Sequence, residues 1–193
     1  HNPEFQTLGV LEFLDAAAEH DKPFFLHLAN SIPHSPDNLE SLKQDARVTH
    51  GGLLEKTTTE LAGHPARESV RQRLAEAGLN TEGPVASINA GMLVMDDQLA
   101  LIRTKLETLG LADNTIIVWL GDHNIYGKGS PFVPGTQTPL IISFPDGKYA
   151  GTDVDTPVSL IDLFKTTAEW AEADLPEGKI IDGQTLNPLM AGK

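Results

Sequence analysis

The most regular pattern in this chain of 193 residues is an apolar stripe between residues 88 and 109. Large apolar residues recur there at alternating spacings of four and three, which predicts one face of an amphipathic helix. Gly110 is expected to end this helix, and the Asp-Asn pair at 113–114 to turn the chain. The apolar, β-branched residues 115–120 then predict a buried strand, so the order is typical of α/β proteins. The stripe consists of Ile88, Met92, Met95, Leu99, Ile102, Leu106 and Leu109.

Two other short apolar runs extend the α/β pattern. Residues 24–29, bounded by Pro23 and a polar loop, predict a strand buried on both faces, as in a parallel sheet. Residues 139–144 predict another strand, which a Pro-Asp-Gly turn at 145–147 ends. The sequence therefore predicts an α/β fold with a mainly parallel sheet and flanking helices. Further helices are expected at residues 8–18, 67–77 and 158–171.

Charge and cysteine content exclude several classes of function. Fourteen Lys and Arg against 27 Asp and Glu give a net charge of −13, which argues against nucleic acid or an anionic membrane as the main partner. The absence of cysteine excludes disulfides, zinc–thiolate sites, iron–sulfur clusters and a cysteine nucleophile. No uninterrupted apolar run approaches the roughly 20 residues that a membrane span needs.

Polar side chains with possible chemical roles follow two of the predicted strands. His34 follows the first strand, and Asp122, His123 and Lys128 follow the strand at 115–120. Ligands of open α/β sheets bind beyond the carboxyl ends of the strands, so we expect these four residues to converge on one site. The adjacent Asp and His can turn toward one cation, and Lys128 could hold an anion bound to it. Taken singly, the Asp122-His123 pair is more typical of a turn, His34 of a surface loop, and Lys128 of a solvated charge.

At these positions the chain resembles the sulfatases of the alkaline phosphatase-like superfamily. Residues 22–29 (KPFFLHLA) and 33–36 (PHSP) are similar to the family's KPFFLYLA…PHxP block. Residues 121–123 (GDH) resemble its SDHG or SDNG motif, and residues 127–129 (GKG) contain the lysine of GKGTLYE. The similar blocks occur in the family's order along the chain. The others are residues 109–118 (LGLADNTIIV), 139–145 (PLIISFP), 158–163 (VSLIDL) and 182–186 (DGQTL).

The resemblance implies a partial alkaline phosphatase-like three-layer sandwich. Residues 1–150 would form the carboxyl-terminal half of the catalytic domain, and residues 151–193 the helix and turns that close it. Asp122 and His123 would be two ligands of a divalent cation, Ca²⁺ in preference to Mg²⁺. Lys128 would bind the sulfuryl oxygens, while His34 would hydrogen-bond the sulfate and protonate the leaving oxygen. The parent protein would be a metal-dependent sulfuric ester hydrolase acting on a sulfate ester.

The departures from the family pattern concern its nucleophile and metal site. The family's formylglycine, made from Cys or Ser in C/S-x-P-x-R, precedes its PFFLYLA block, as does the Asp pair that completes the metal site. We therefore expect both upstream of this chain, a weakly held cation, and little or no turnover by the chain alone. Two stretches resemble these motifs but lie elsewhere in the chain, namely residues 63–67 (GHPAR) and Asp96–Asp97. For Asp96 a structural role is preferred. Phe132 and Val133 replace the family's Tyr-Glu, and Gln137 its Arg.

Three alternatives stay open at this point. The parent could be a phosphodiesterase or phosphonate monoester hydrolase of the same superfamily. The chain could be a non-catalytic fragment or a subunit that completes another polypeptide's site, or an unrelated acidic α/β binding domain. Half a sheet would expose apolar surface and a strand edge, which predicts a homodimer, another association or poor solubility. The resemblance implies a periplasmic or extracellular location.

Overall fold

The computed structural model describes residues 2–20, 22–34, 37–45, 48–49, 52–53, 65, 67–124 and 126–192. The chain divides into two compact units, residues 1–112 and residues 113–193. The boundary expected at residue 150 concerns the parental catalytic domain and stays a prediction. The elements of the first unit are α1 (Pro3–Ala18), α2 (Asn38–Ser41), the strands β1 (Val48–Thr49) and β2 (Gly52–Leu53), α3 (Val70–Glu76) and α4 (Gly83–Thr108).

Helix α1 confirms the helix predicted at residues 8–18 and begins five residues earlier. The side chain of Asn2 accepts a hydrogen bond from the backbone N–H of Phe5 at 2.9 Å, and Pro3 occupies the first turn. The capping side chain accepts from a backbone N–H that has no partner within the helix. Proline has no N–H to leave unpaired, so both residues favour the start of a helix.

Helices α3 and α4 end at the glycines that the sequence predicts. Gly78 and Gly110 both have φ of +69°, a left-handed conformation that glycine adopts without a Cβ clash. After Gly110, the N–H of Leu111 donates to the carbonyl oxygen of Leu106 at 2.8 Å, and the corresponding bond closes α3. These bonds satisfy carbonyls that the last helical turn leaves without partners.

The most buried face of α4 lies beside the predicted apolar stripe. Of the seven residues of the stripe, Leu106 is buried and the other six are half-buried. The buried face is displaced by about one residue and consists mainly of small and polar side chains. Small residues let neighbouring helices approach closely, whereas hydrophobic periodicity marks only the face with the largest side chains. The buried residues of α4 are Ala86, Ser87, Ala90, Gly91, Val94, Asp97, Gln98 and Leu106.

Polar side chains of α4 hydrogen-bond to its neighbours. The Ser87 hydroxyl accepts from the backbone N–H of Asn38 at 2.8 Å. The side-chain amide of Gln98 donates to the Thr7 hydroxyl at 2.9 Å. Asp97 accepts two bonds from the Arg73 guanidinium, at 2.6 and 2.7 Å. The structural role was predicted for Asp96, but Asp96 is exposed and it is the neighbouring Asp97 that makes these bonds.

A second ion pair fixes the start of α1. The Arg67 guanidinium donates to both carboxylate oxygens of Glu4 at 2.5 Å and to the carbonyl oxygen of Gln44 at 2.8 Å. Both charged side chains are buried, with 8% and 2% of their surfaces exposed. Arg67 is the arginine of the GHPAR imitation, so its role in this structure is structural. Residues 63, 64 and 66 of that motif lie outside the described residues.

Helix α4 also has the length and composition of a membrane span. Its most apolar window has a mean hydropathy of 1.3, although polar residues interrupt every apolar run. In the structure α4 packs against α1, α2 and α3. Such packing on several neighbours is typical of a core helix.

The second unit contains an antiparallel strand pair, which corrects the prediction of a mainly parallel sheet for this part of the chain. Ile117 lies opposite Ser143 and Leu120 opposite Leu140. Among its described residues, the loop between these strands has no long crossover helix of the kind that usually joins parallel strands. The elements of this unit are β3 (Ile117–Leu120), α5 (Val133–Thr136), β4 (Leu140–Ser143), α6 (Asp162–Trp170) and α7 (Asn187–Met190).

Residues 24–29, predicted as a strand, form neither a helix nor a strand in the described part of the chain. Their side chains alternate between exposed and half-buried, and Phe25 is 81% exposed. The prediction of burial on both faces is therefore wrong for this chain.

A segment that we call the carboxyl-terminal strap, residues 183–187, runs along α6. The Asp162 carboxylate accepts from the backbone N–H of Gln184 at 2.8 Å, and the buried Thr166 hydroxyl accepts from that of Leu186 at 2.9 Å. The backbone N–H groups of Ser159 and Gln184 both donate to the Asp162 carboxylate, which stabilises the charged form and holds the pKa of Asp162 below its ordinary value. The similarity block DGQTL therefore has a packing role here. Further bonds join Lys165 to Gly183, Glu169 to Thr185 and Asn187, and Trp170 to Asn187.

Candidate active site

His34 lies in the first unit, on a loop whose backbone is held from both sides. The carbonyl oxygen of Pro33 accepts a hydrogen bond from the Asn38 side chain at 2.9 Å. Pro33 also lies so close to Gly91 of α4 that a Cβ on that glycine would be 2.7 Å from the proline Cβ. The His34 side chain itself is exposed.

Asp122 and His123 form a compact pair where the chain leaves β3. The backbone N–H of His123 donates to Asp122 Oδ1 at 3.0 Å, and His123 Nε2 lies 3.5 Å from Asp122 Oδ2. His123 Nδ1 lies 2.6 Å from the carbonyl oxygen of Asn124. A carbonyl only accepts, so Nδ1 carries the proton of this bond, and in the neutral ring the lone pair is on Nε2, the nitrogen that lies 3.5 Å from Asp122 Oδ2.

This pair fits a divalent cation. Asp122 Oδ2 and His123 Nε2 lie 3.5 Å apart, a separation at which both can bind one ion, and the second ring nitrogen bonds a backbone carbonyl, as in many metal sites. The Asp122 side chain is 87% exposed, so water can complete the coordination shell. The carboxylate suits Ca²⁺ or Mg²⁺, whereas imidazole is a poorer ligand for such hard cations. Within the described residues no group of three or more His, Asp or Glu side chains is placed to hold a metal.

Lys128 is presented by a tight turn. The N–H of Ser130 donates to the carbonyl oxygen of Gly127 at 2.8 Å, and Gly129 at the third turn position has φ of +80°. A Cβ on Gly135 would clash with the carbonyl oxygens of Gly127 and Ser130. The turn therefore packs directly on α5, and Lys128 is exposed at its tip.

Sequence reasoning missed Thr138, which lies beside the start of the Asp122 loop. A Cβ on Gly121 would be 2.5 Å from Thr138 Oγ1, and the Gly121 N–H donates to the Pro139 carbonyl oxygen at 3.1 Å. The hydroxyl oxygen is buried and has no hydrogen-bond partner in the described part of the chain. The close approach of Thr138 to Gly121 is the signal that identifies this residue, and the sequence alone does not show that approach.

The structure brings two of the predicted site residues into contact and places a third on the same loop. Asp122 and His123 are paired, and Lys128 follows on the loop between β3 and β4. His34 belongs to the other compact unit, so its convergence with these three residues stays a prediction.

Comparison with known proteins identifies the family. The family model named Sulfatase matches residues 6–173. The chain is 34% identical over 119 residues to steryl-sulfatase of Homo sapiens, covering 51% of this chain and 20% of that protein. It is 29% identical over 195 residues to human N-sulphoglucosamine sulphohydrolase, covering 93% and 37%. The crystal structure of Ps i-CgsB with k-i-k-neocarrahexaose superposes with a TM-score of 0.73 at 23% identity, covering 98% of this chain and 38% of that one.

The solved structure supports an alkaline phosphatase-like α/β fold, of which this chain forms a part. The chain spans between one fifth and two fifths of the length of these relatives. Because the family model covers most of its residues, the chain belongs to the sulfatase family.

Proposed function

We propose that this chain is the carboxyl-terminal part of a metal-dependent sulfuric ester hydrolase. Asp122 and His123 would hold Ca²⁺ weakly, Lys128 would bind the sulfuryl oxygens, and His34 would hydrogen-bond the sulfate. The observation that carries the proposal is the pairing of Asp122 with His123, whose Nδ1 bonds the Asn124 carbonyl while its Nε2 lies 3.5 Å from Asp122 Oδ2. A periplasmic or extracellular location belongs to the same proposal, since it follows from the family resemblance.

In this mechanism the chain's own residues bind and protonate the ester. The Lys128 ammonium neutralises charge that grows on the sulfuryl oxygens as a nucleophile attacks sulfur. The S–O bond then breaks, and His34 donates a proton to the leaving alcohol oxygen. The cation, when bound, supplies Lewis-acid polarisation of the sulfuryl group. The formylglycine nucleophile would come from a part of the parent outside this chain.

Calcium titration of the chain tests the metal site. We expect the wild-type chain to bind Ca²⁺ with a dissociation constant of about 1 mM or weaker, because few protein ligands are present. Asp122→Asn should abolish this binding. Asp153→Asn removes an exposed carboxylate elsewhere in the same unit and is the matched control. Equal heats for the wild type and Asp122→Asn in calorimetry would refute the site.

Parallel assays test the reaction class. The isolated chain should turn over aryl sulfates slowly or not at all, whereas a longer protein that contains it should hydrolyse them. A preference of that longer protein for aryl phosphate diesters would instead establish the phosphodiesterase alternative.

Association of the isolated chain stays a prediction. Phe25 and Ile180 are 81% and 96% exposed, and large exposed apolar side chains favour self-association. A clean monomer in light scattering would contradict it.

A further inference from the structure

Two glycines form the contact between α5 and the turn that carries Lys128. We call residues 127–130 the lysine turn. A Cβ on Gly135 of α5 would overlap the carbonyl oxygens of Gly127 and Ser130 and would lie 3.1 Å from the Ser130 carbonyl carbon. In the reverse direction, a Cβ on Gly127 would lie 3.0 Å from the Gly135 nitrogen and 3.2 Å from Pro134 Cβ. The contact therefore leaves no room for a methyl group on either glycine.

The glycine at position 135 is required by space and not by its backbone conformation. Gly127 and Gly129 have φ of +81° and +80°, the left-handed conformation that favours glycine whatever its surroundings. Gly135, in contrast, lies within α5, where any residue can adopt the helical backbone and alanine is the more favourable one. What excludes a side chain at position 135 is the approach of the lysine turn.

The contact falls on the hydrogen bond that closes the lysine turn. The Gly127 carbonyl oxygen accepts from the Ser130 N–H at 2.8 Å, and Lys128 and Gly129 are the two central residues of the turn. A methyl group on residue 135 would push against the acceptor of this bond. Lys128 directly follows that acceptor in the chain, so it moves when the acceptor moves.

Helix α5 is held at both ends and can therefore support the turn. At its start, the Phe132 N–H donates to the Ser130 hydroxyl at 3.2 Å. At its end, the Gln137 N–H donates to the Val133 carbonyl oxygen at 2.9 Å. Two residues further on, the Pro139 carbonyl oxygen accepts from the Gly121 N–H at 3.1 Å, next to the paired strands β3 and β4. Only a short segment separates α5 from the strand pair.

We propose that Gly135 is a positioning residue for Lys128. Because Gly135 has no side chain, the lysine turn packs on α5, and this contact fixes the backbone from which the Lys128 ammonium reaches the sulfuryl oxygens. The inference rests on the proposed role of Lys128 in binding those oxygens. Lys128 itself is exposed, so its backbone is the part of the residue that the fold can hold in place. A backbone that is already fixed reduces the conformational entropy lost when the anion binds.

The test follows inorganic sulfate binding to the full chain by NMR of the backbone amides, at constant ionic strength. Hydrogen exchange of the Ser130 amide reports separately on the bond that closes the turn. We expect Gly135→Ala to weaken sulfate binding by about threefold or more and to speed exchange of the Ser130 amide by about the same factor. Lys128→Gln should weaken sulfate binding by about fivefold, since an exposed ion pair contributes little more.

Two control variants separate positioning from a general loss of stability. Val133→Ala changes an exposed side chain of the same helix and should alter neither measurement. Thr166→Val removes the buried hydroxyl that accepts from the Leu186 N–H, on a different helix of the same unit. It should lower the free energy of unfolding but leave the sulfate affinity of the folded chain unchanged. A merely structural role of Gly135 would give the pattern of Thr166→Val.

The outcomes distinguish this inference from the proposed function. If the wild type binds no sulfate, or if Lys128→Gln has no effect, the proposed role of Lys128 fails and the inference fails with it. If binding depends on Lys128 but Gly135→Ala binds sulfate as tightly as the wild type, the inference alone is overturned. Equal weakening by Thr166→Val would also overturn it.

A second variant covers the case in which Gly135→Ala does not fold. Pro134→Gly adds no atom to the contact, but it frees the backbone at the start of α5, and Pro134 is exposed. Looser support for the lysine turn should weaken sulfate binding and speed exchange of the Ser130 amide. If Pro134→Gly matches the wild type in both measurements, α5 does not position Lys128.

Discussion

Replacing Gly91 by alanine tests the contact that positions the His34 loop. Gly91 lies in the interior of α4, where a Cβ would be 2.7 Å from Pro33 Cβ, 2.8 Å from Pro33 Cα and 3.2 Å from Asn38 Cγ. The nearest atoms belong to a proline ring and its backbone, which cannot rotate away. The added methyl group must therefore displace the segment that leads into His34.

Two opposing terms set the magnitude. Alanine in place of glycine favours a helix interior by about 1 kcal/mol. Forcing a methyl group into a packed site costs about 1–3 kcal/mol, and the rigid neighbour places Gly91→Ala toward the upper end. We expect a net loss of about 1–2 kcal/mol in the free energy of unfolding.

Gly9→Ala is the matched control because Gly9 lies inside α1 with nothing within 4 Å of its Cβ position. This change should raise stability by about 0.5–1 kcal/mol. Urea unfolding followed by far-UV circular dichroism measures both variants, with midpoints compared at an unchanged m-value. If both Gly91→Ala and Gly9→Ala raise the stability, or if Gly91→Ala leaves it equal to that of the wild type, the close packing of α4 on Pro33 is refuted.

Three other substitutions test single interactions. Arg67→Ala leaves the Glu4 carboxylate buried without its partner and should lower the free energy of unfolding by about 3–5 kcal/mol in urea, whereas a loss below about 1 kcal/mol would contradict the buried pair. The pKa of Asp162 is lowered in the folded chain, so its stabilisation is full above the unfolded pKa and is lost as pH falls through the folded pKa. Asp162→Asn should flatten the acid-side decline of the thermal midpoint, and an unchanged pH profile would exclude the proposed linkage. Thr138→Val removes a buried hydroxyl that has no partner among the described residues, and it should raise stability by about 1 kcal/mol in the same urea assay. A clear loss of stability would show that the hydroxyl is bonded.

Local chain signals predicted the four longest of the described helices and the carboxyl-terminal ends of α3 and α4. The carboxyl-terminal ends of α3 and α4 could be predicted from Gly78 and Gly110. A helix often ends at a residue in the left-handed conformation, and glycine adopts that conformation most easily. The buried face of α4 could not be predicted in this way. It depends on neighbours distant in sequence, such as Arg73 for Asp97 and Thr7 for Gln98. A pattern of hydrophobic residues would assign Asp97 and Gln98 to the solvent-exposed face because they are polar.

The candidate site was predictable as residue types but not as geometry. The adjacency of Asp122 and His123 is given by the sequence, whereas the tautomer of His123 depends on a bond to the Asn124 carbonyl that only the folded loop shows. The direction of β4 relative to β3 was missed for a related reason. Residues 24–29, 115–120 and 139–144 are all apolar runs, and strand composition does not encode the orientation of a neighbour.

The hydrogen bonds between α6 and the carboxyl-terminal strap have a consequence for biosynthesis. Helix α6 is synthesised before residues 183–187, yet its side chains at 162, 166 and 169 find their partners there. While the chain is still emerging from the ribosome, the Thr166 hydroxyl and its neighbours must remain hydrated. The second unit can therefore close only after residue 187 has left the ribosome, and a translation product that stops before residue 183 should be open to proteolysis within α6.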